Sequence, residues 1–387
     1  MSGINAFIVA ARRTANGRVG GLHRNRRLED LSAPVVNEAL SDSGLTASRV
    51  DLLTVGNTTA GGNPARTISL VAGLGDGLPA LTIDRQEASG LEAIVAAVRT
   101  ISAGDAEVAV AGGAEALSMA PWRIAKPRSL YQTPRFIGHA DMDEQAIGQS
   151  TASDAANTLA QRLGITRRQL DELALTAHLR AGLARDNRRM LKEIVALRAK
   201  VEETRDELTA DPEIEELSAL PPLAGDGTAT AGNVSQAADG AAFVVAVSER
   251  VYGEMGRPPA LQLRAAVSNG APPGELIGAP VAAVRRLLVK AAVDNVDQIA
   301  RIEFAEASAA HAIAFRDALG IADGRLNADG GQLARGLPLG ASSAVLVVRL
   351  FSALIRAPAS RSKATGLAVA TAAGGQAIAV VLDRVGA

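Results

Sequence analysis

The side chains able to do chemistry are few in this chain, and the most prominent are carboxylates. No cysteine occurs among the 387 residues and only four histidines do. Neither a thiolate nucleophile nor a thiolate or histidine metal site is therefore expected. Glu87 stands in a polar turn with Asp84 and Gln86, between a β-prone stretch and an Ala/Val/Ile-rich helical one entered at Gly90 and Leu91. A carboxylate there has two readings. It caps the helix, where free N–H groups and the dipole favour it by up to about 1 kcal/mol, or it works as a general base or nucleophile. Glu306 reads as a hydrogen-bonding residue at a turn, with a pocket role as the alternative. His311, on an Ala-rich helix, reads as packing. Thr371 can donate a hydrogen bond but is no base near neutral pH. Gly374 and Gly375 read as a tight turn, and Trp122, beside Pro121, as packing at a domain junction.

These residues need a scaffold, and the pattern supplies one. Residues 6–10, 50–56, 81–84 and 107–111 are strand-like, the last ending at Gly112 and Gly113. Residues 31–43 and 91–101 have helical spacing. Strands separated by helices imply parallel pairing through crossovers. Residues 121–226 are richer in Arg, Gln, Asp and Glu and read as a helical insertion. Within it, 166–186 is an amphipathic helix started by Thr166. The alternation returns later, with a Gly-rich turn at 330–340, a helix at 341–353, a strand at 366–371 and a hairpin back through 377–382. The expected architecture is α/β with a duplicated unit.

Bulk composition excludes several classes. Forty basic against forty-one acidic residues leave no electrostatic footprint for nucleic acid. No uninterrupted apolar run reaches the roughly eighteen residues of a membrane helix. The first residues lack the basic region of a targeting signal, and the expected address is cytoplasmic.

Six stretches, in order, resemble the thiolase family. Residues 13–17 (RTANG) resemble R-T-P-x-G, 63–66 are NPAR, and 82–91 (TIDRQEASGL) resemble the nucleophile segment. Residues 111–121 (AGGAEALSMAP) and 230–242 (TAGNVSQAADGAA) resemble two further motifs, and 327–342 stand at the family's Gly-His-Pro turn. The resemblance implies a duplicated thiolase fold, five-layer α-β-α-β-α with a helical loop domain. The N-terminal half is placed at 1–120, completed by about 227–265, the loop domain at 121–226 and the C-terminal half at 266–387. It also implies an acyl-CoA ligand, no permanently bound cofactor, and a homodimer or homotetramer, or a heteromeric partner chain.

Carried over position by position, the family's catalytic side chains are missing. Glu87 stands at the nucleophilic Cys, Leu337 at the activating His, Thr371 at the second Cys and Ala305 at the Asn, with Glu306 retained beside it. The resemblance further implies an oxyanion hole made of the Glu87 and Ala373 N–H groups, next to Gly374. It also implies a pantetheine contact at Ser235. Residues 220–224 (LPPLA) carry no Arg where a CoA phosphate partner is expected. Two expectations follow: a non-catalytic or acyl-binding homologue, or an enzyme with altered acyl-thioester chemistry (decarboxylation, hydrolysis, retro-aldol cleavage or CoA transfer) using Glu87.

Overall fold

The computed structural model describes residues 5–137, 151–187, 190, 192–198, 201–272, 275, 277–357 and 364–386. The strands are β1 (Ala6–Arg13), β2 (Gly17–Arg18), β3 (Leu52–Gly56), β4 (Ala80–Ile83), β5 (Val108–Glu115), β6 (Arg123–Ala125), β7 (Arg135–Ile137), β8 (Ala238–Ser248), β9 (Ala260–Gly270), β10 (Arg301–Ala305), β11 (Thr365–Ala372) and β12 (Gln376–Val385). The helices are α1 (Leu28–Ser43), α2 (Pro64–Val71), α3 (Ser89–Ala103), α4 (Ala152–Leu163), α5 (Arg167–Asp186), α6 (Ile214–Ala219), α7 (Glu249–Glu254), α8 (Gly278–Lys290), α9 (Ala309–Leu319), α10 (Gln332–Arg335) and α11 (Leu339–Phe351).

The duplication is visible in the strand order. One half runs β4-β3-β5-β8-β1 and the other β10-β11-β12-β9. In both, the first strand lies beside the last, antiparallel, and an inner pair is parallel. Beyond β10, where the second half would repeat β4, only the bridge Ile302–Leu326 forms among the described residues. The halves join through two pairs between β1 and β9, at Phe7–Gln262 and Ile8–Leu261.

Side-chain alternation along the strands builds the layers. On β12, Ile378, Val380 and Leu382 face the central layer of α3 and α11. Ala377, Ala379 and Val381 face the outer helices α8 and α9. On β1 the alternation breaks. Ala6 and Ile8 face the centre, Val9 and Ala10 both face α1, and Ala11 returns inward. A register shift between Ile8 and Ala10 is the cause, since one extra residue in a strand reverses the facing of all that follow.

The central helices meet end to end through glycine. A Cβ at Gly90 would lie 2.7 Å from Gly340 O, and one at Gly113 only 2.1 Å from the same atom. This also corrects the expected end of β5. The strand continues through Gly112 and Gly113 to Glu115 because the missing side chains let β8 and α11 close over it. Helix α11 with its following turn, Leu339–Arg356, is long and apolar enough to cross a membrane, but 78% of it is buried. It is a core helix between the two halves.

The inserted segment carries the β6–β7 hairpin and α4 to α6; residues 138–150 lie outside the described residues. Thr166 caps α5 in a capping box with Gln169, as the sequence indicates. Trp122 does not pack at a junction. It is 84% exposed, touching Phe136 edge-on across the hairpin, because the short β6–β7 ribbon has no core to receive it.

Candidate functional site

The turn after β4 is strained. Gln86 has φ 51°, a conformation non-glycine residues avoid. Ser89 holds it, its Oγ accepting from Arg85 N at 2.8 Å and donating to Gln86 O at 2.5 Å. Arg85 then clamps the turn to the other half of the molecule. Its guanidinium donates to Glu92 at 2.5 Å, Ser268 Oγ at 2.9 Å, Gln376 Oε1 at 3.1 Å and Ala377 O at 3.3 Å.

Glu87 does not cap α3. The N-cap is Ala88, with no side-chain cap bond, and Ser342 Oγ of α11 pins the Glu87 carbonyl at 3.0 Å. The carboxylate reaches instead to the β11–β12 turn, where Oε2 accepts from Ala373 N at 3.1 Å. Its own backbone N–H also favours the charged carboxylate. Burial raises the Glu87 pKa above its ordinary value, the two N–H donors pull it back, and the Asp84 charge adds a push upward. Gly374 and Gly375, at φ 78° and 74°, make the tight turn that presents the Ala373 N–H.

Thr371 and Ala305 stand side by side at the ends of β11 and β10, with Thr371 Oγ1 3.5 Å from Ala305 O. Ala305 is buried and offers no polar group beyond its backbone. Glu306 follows, 1% exposed. Its carboxylate accepts from Asn327 Nδ2 at 2.6 Å and Leu333 N at 3.2 Å. Burial pushes Glu306 up to about 7, against the pull of its own N–H, the Leu333 N–H and the Arg335 charge. His311 packs within α9, its Nδ1 2.8 Å from Ser308 Oγ, and burial pushes it down to about 4. Ser235 is buried, and its Oγ donates to Glu306 O at 2.7 Å. The hydroxyl is engaged with the protein's own backbone.

Leu337 is half-buried in the loop before α11. Its N–H donates to Gln236 O at 2.7 Å and its carbonyl accepts from Ala238 N at 3.1 Å, which sets it beside the Ser235 segment. The start of α11 that follows it meets the Glu87 turn through Ser342, whose Oγ bridges Glu87 O and Leu339 O. The structure thus brings Glu87 onto Ala373, next to Gly374 in the chain, Thr371 against Ala305, and Ser235 against Glu306.

Sequence reasoning missed two residues that hold this arrangement. Arg85 is one; its only signal was a cation in a polar turn. Glu115 is the other. Fully buried, it accepts from Thr58 Oγ1 at 2.8 Å, Asn57 Nδ2 at 2.9 Å and Gly340 N at 2.9 Å. It fixes the N-terminus of α11, and with it the loop bearing Leu337. The functional groups present are a carboxylate, an alcohol and backbone donors. They suit hydrogen bonding and proton transfer, and none can form an acyl-cysteine.

Comparison with known proteins agrees with this architecture. The family models described as the thiolase N-terminal domain and the thiolase C-terminal domain match residues 6–250 and 257–384. A putative acetyl-CoA C-acetyltransferase VraB of Staphylococcus epidermidis (strain ATCC 12228) is 34% identical over 349 residues, 89% of this chain and 91% of that protein. An acetyl-CoA acetyltransferase of Pseudomonas aeruginosa is 34% identical over 400 residues, covering 98% of this chain and 99% of its own. The crystal structure of the Bacillus anthracis acetyl-CoA acetyltransferase superposes with a TM-score of 0.88 at 31% identity, over 98% of this chain and 99% of that one. With both domain models matched in order and the strand pattern repeated in each half, the chain belongs to the thiolase family.

Proposed function

We propose that this thiolase-family protein binds an acyl group or acyl-CoA without turning it over, as a non-catalytic homologue. One observation carries the reading. The carboxylate of Glu87 accepts from the N–H of Ala373 at 3.1 Å, one of the two donors the family resemblance assigns to an oxyanion hole, and its charged form is favoured by its own N–H, the other. A carboxylate already seated on the Ala373 donor competes with a thioester carbonyl and repels a developing oxyanion. The roles assigned to Leu337, Thr371 and Ala305 are part of the same proposal: the sites of the activating His, the second Cys and the Asn carry an aliphatic group, a neutral alcohol and a methyl. CoA enters as a ligand, with no permanently bound cofactor.

An altered enzyme remains the second reading, because burial raises the Glu87 pKa toward the range useful for proton transfer. Association into a dimer or larger oligomer is supported by the free edge of β4, where Leu81 is exposed, beside exposed Leu70 and Val71 of α2.

The deciding experiment incubates the protein with acyl-, 3-oxoacyl- and malonyl-type CoA thioesters beside Glu87→Ala and follows products by mass spectrometry. Binding without turnover is expected. Turnover that disappears in the variant would reject the non-catalytic reading in favour of Glu87 chemistry.

A further inference from the structure

We propose, resting on the acyl-binding reading above, that the Glu87 site takes an acyl thioester whose acyl chain carries a protonated amine. The reason is a carboxylate, open to a ligand, that the chain leaves without a cation.

Glu87 accepts from Ala373 N at 3.1 Å. No side chain among the described residues donates to its carboxylate, and none of their cations pairs with it. The charge acting on it is that of Asp84, of like sign. Arg85 lies two residues away but is turned elsewhere. It pairs with Glu92 at 2.5 Å and donates to Ser268 Oγ, Gln376 Oε1 and Ala377 O. Other carboxylates inside the molecule are matched. Glu193 and Asp206 each hold Arg13, and Glu115 takes hydrogen bonds from Asn57, Thr58 and Gly340 N. Glu87 also differs from these in access. Glu87, Thr371, Ala373 and Gly374 are all half-buried, so the contact is reached from solvent.

Thr371 adds a second acceptor. It stands two residues before Ala373 on the same hairpin, and its Oγ1 lies 3.5 Å from Ala305 O, at the limit of a hydrogen bond. No group among the described residues donates to that hydroxyl oxygen. Ala305 and Leu337 bring no donor side chain. The side chains of the site thus offer lone pairs and supply no cation. An ammonium carries three N–H donors and a positive charge, so it answers both the acceptors and the charge. A hydroxyl donates once and leaves the charge in place. A methyl does neither, and a second carboxylate adds repulsion. Burial holds the Glu87 pKa above its ordinary value, and an ammonium seated beside it favours the charged form.

The test is calorimetric titration of the full-length protein with four CoA thioesters that differ at the end of a short acyl chain. They are β-alanyl-CoA (ammonium), 3-hydroxypropionyl-CoA (hydroxyl), butyryl-CoA (methyl) and succinyl-CoA (carboxylate). The CoA portion is common to all four and cancels from the comparison. Wild type is expected to bind the ammonium thioester about tenfold more tightly than the methyl one. The hydroxyl thioester falls between them and the carboxylate one is weakest. Glu87→Gln keeps the shape and removes the charge; it should weaken the ammonium thioester about tenfold while the methyl one holds or gains. Thr371→Val should weaken the ammonium thioester by a smaller factor. Equal binding of the ammonium and methyl thioesters by wild type, or an ammonium preference unchanged in Glu87→Gln, overturns the amine assignment and leaves acyl binding standing. Binding of none of the four overturns the acyl-binding reading, and the assignment with it. Should Glu87→Gln fail to fold by circular dichroism, the order within wild type decides, and a carboxylate thioester bound as tightly as the ammonium one overturns the assignment.

Discussion

Glu306 and His311 should give opposite and nearly cancelling pH dependences of stability. Glu306 is a buried acid whose pKa is pushed from 4.5 to about 7. The protein holds its proton in a range where the unfolded chain has lost it. The stability it contributes is complete below pH 4.5 and is lost as pH rises to about 7. His311 is a buried base pushed from 6.5 down to about 4. It stays neutral where the unfolded chain is charged, so its contribution is complete above pH 6.5 and is lost as pH falls to about 4. Each interval, 7 − 4.5 and 6.5 − 4, is about 2.5, and at about 1.36 kcal/mol per pH unit each is worth roughly 3 kcal/mol. Between about pH 4.5 and 6.5 the two slopes oppose each other. Urea denaturation at fixed protein concentration, from pH 4 to 8, separates them. Relative to wild type, Glu306→Gln should gain stability as pH rises, by about 3 kcal/mol across the window. His311→Gln should gain as pH falls, by a similar amount. Constant substitution costs shift these difference curves without tilting them. Two flat difference curves, within about 1 kcal/mol, would refute burial as the force acting on both groups.

Two further outcomes test the packing that positions the site. Glu193→Ala removes the carboxylate shared by Arg13 and Arg349, both fully buried; leaving each buried cation with one carboxylate partner, Asp206 or Asp329, in place of two should cost about 3 kcal/mol in urea unfolding. Gly90→Ala places a Cβ 2.7 Å from Gly340 O and 2.9 Å from Ala344 Cβ. It should lower stability by about 1–3 kcal/mol, read as a fall in the thermal midpoint.

Period and glycine made much of this fold legible. Strand and helix alternation placed the repeated unit, and Thr166 with Gln169 announced the start of α5. What stayed hidden depends on distance in the chain. Arg13 is bound by Glu193 and Asp206, and Arg349 by Glu193 and Asp329. None of those pairings is local, and a charge in a sequence reads first as surface. The bulge in β1 was equally silent, because Val9 and Ala10 suit either face. At the site, the sequence singled out Glu87 but not its direction. A carboxylate before a helix suggests capping. The actual acceptor geometry is set by Ala373, a residue remote in sequence that comes near only when β11 and β12 close their turn.

On the proposed reading of Glu87, that geometry suits a chain that has this architecture and no cysteine. Backbone donors at the end of a strand and a hairpin do not depend on which side chain stands beside them. Left without an acceptor when buried, each costs about 1–3 kcal/mol. Glu87 supplies the acceptor from within, and the strained φ of 51° at Gln86 and the Arg85 clamp hold it in place. Under the proposed function, Glu87 therefore favours stability at the same point where it obstructs a ligand's oxygen. Opening the pair, as Glu87→Ala does, should make the protein less stable and its acyl pocket more receptive, and a variant that moved both properties the same way would contradict this account of the site.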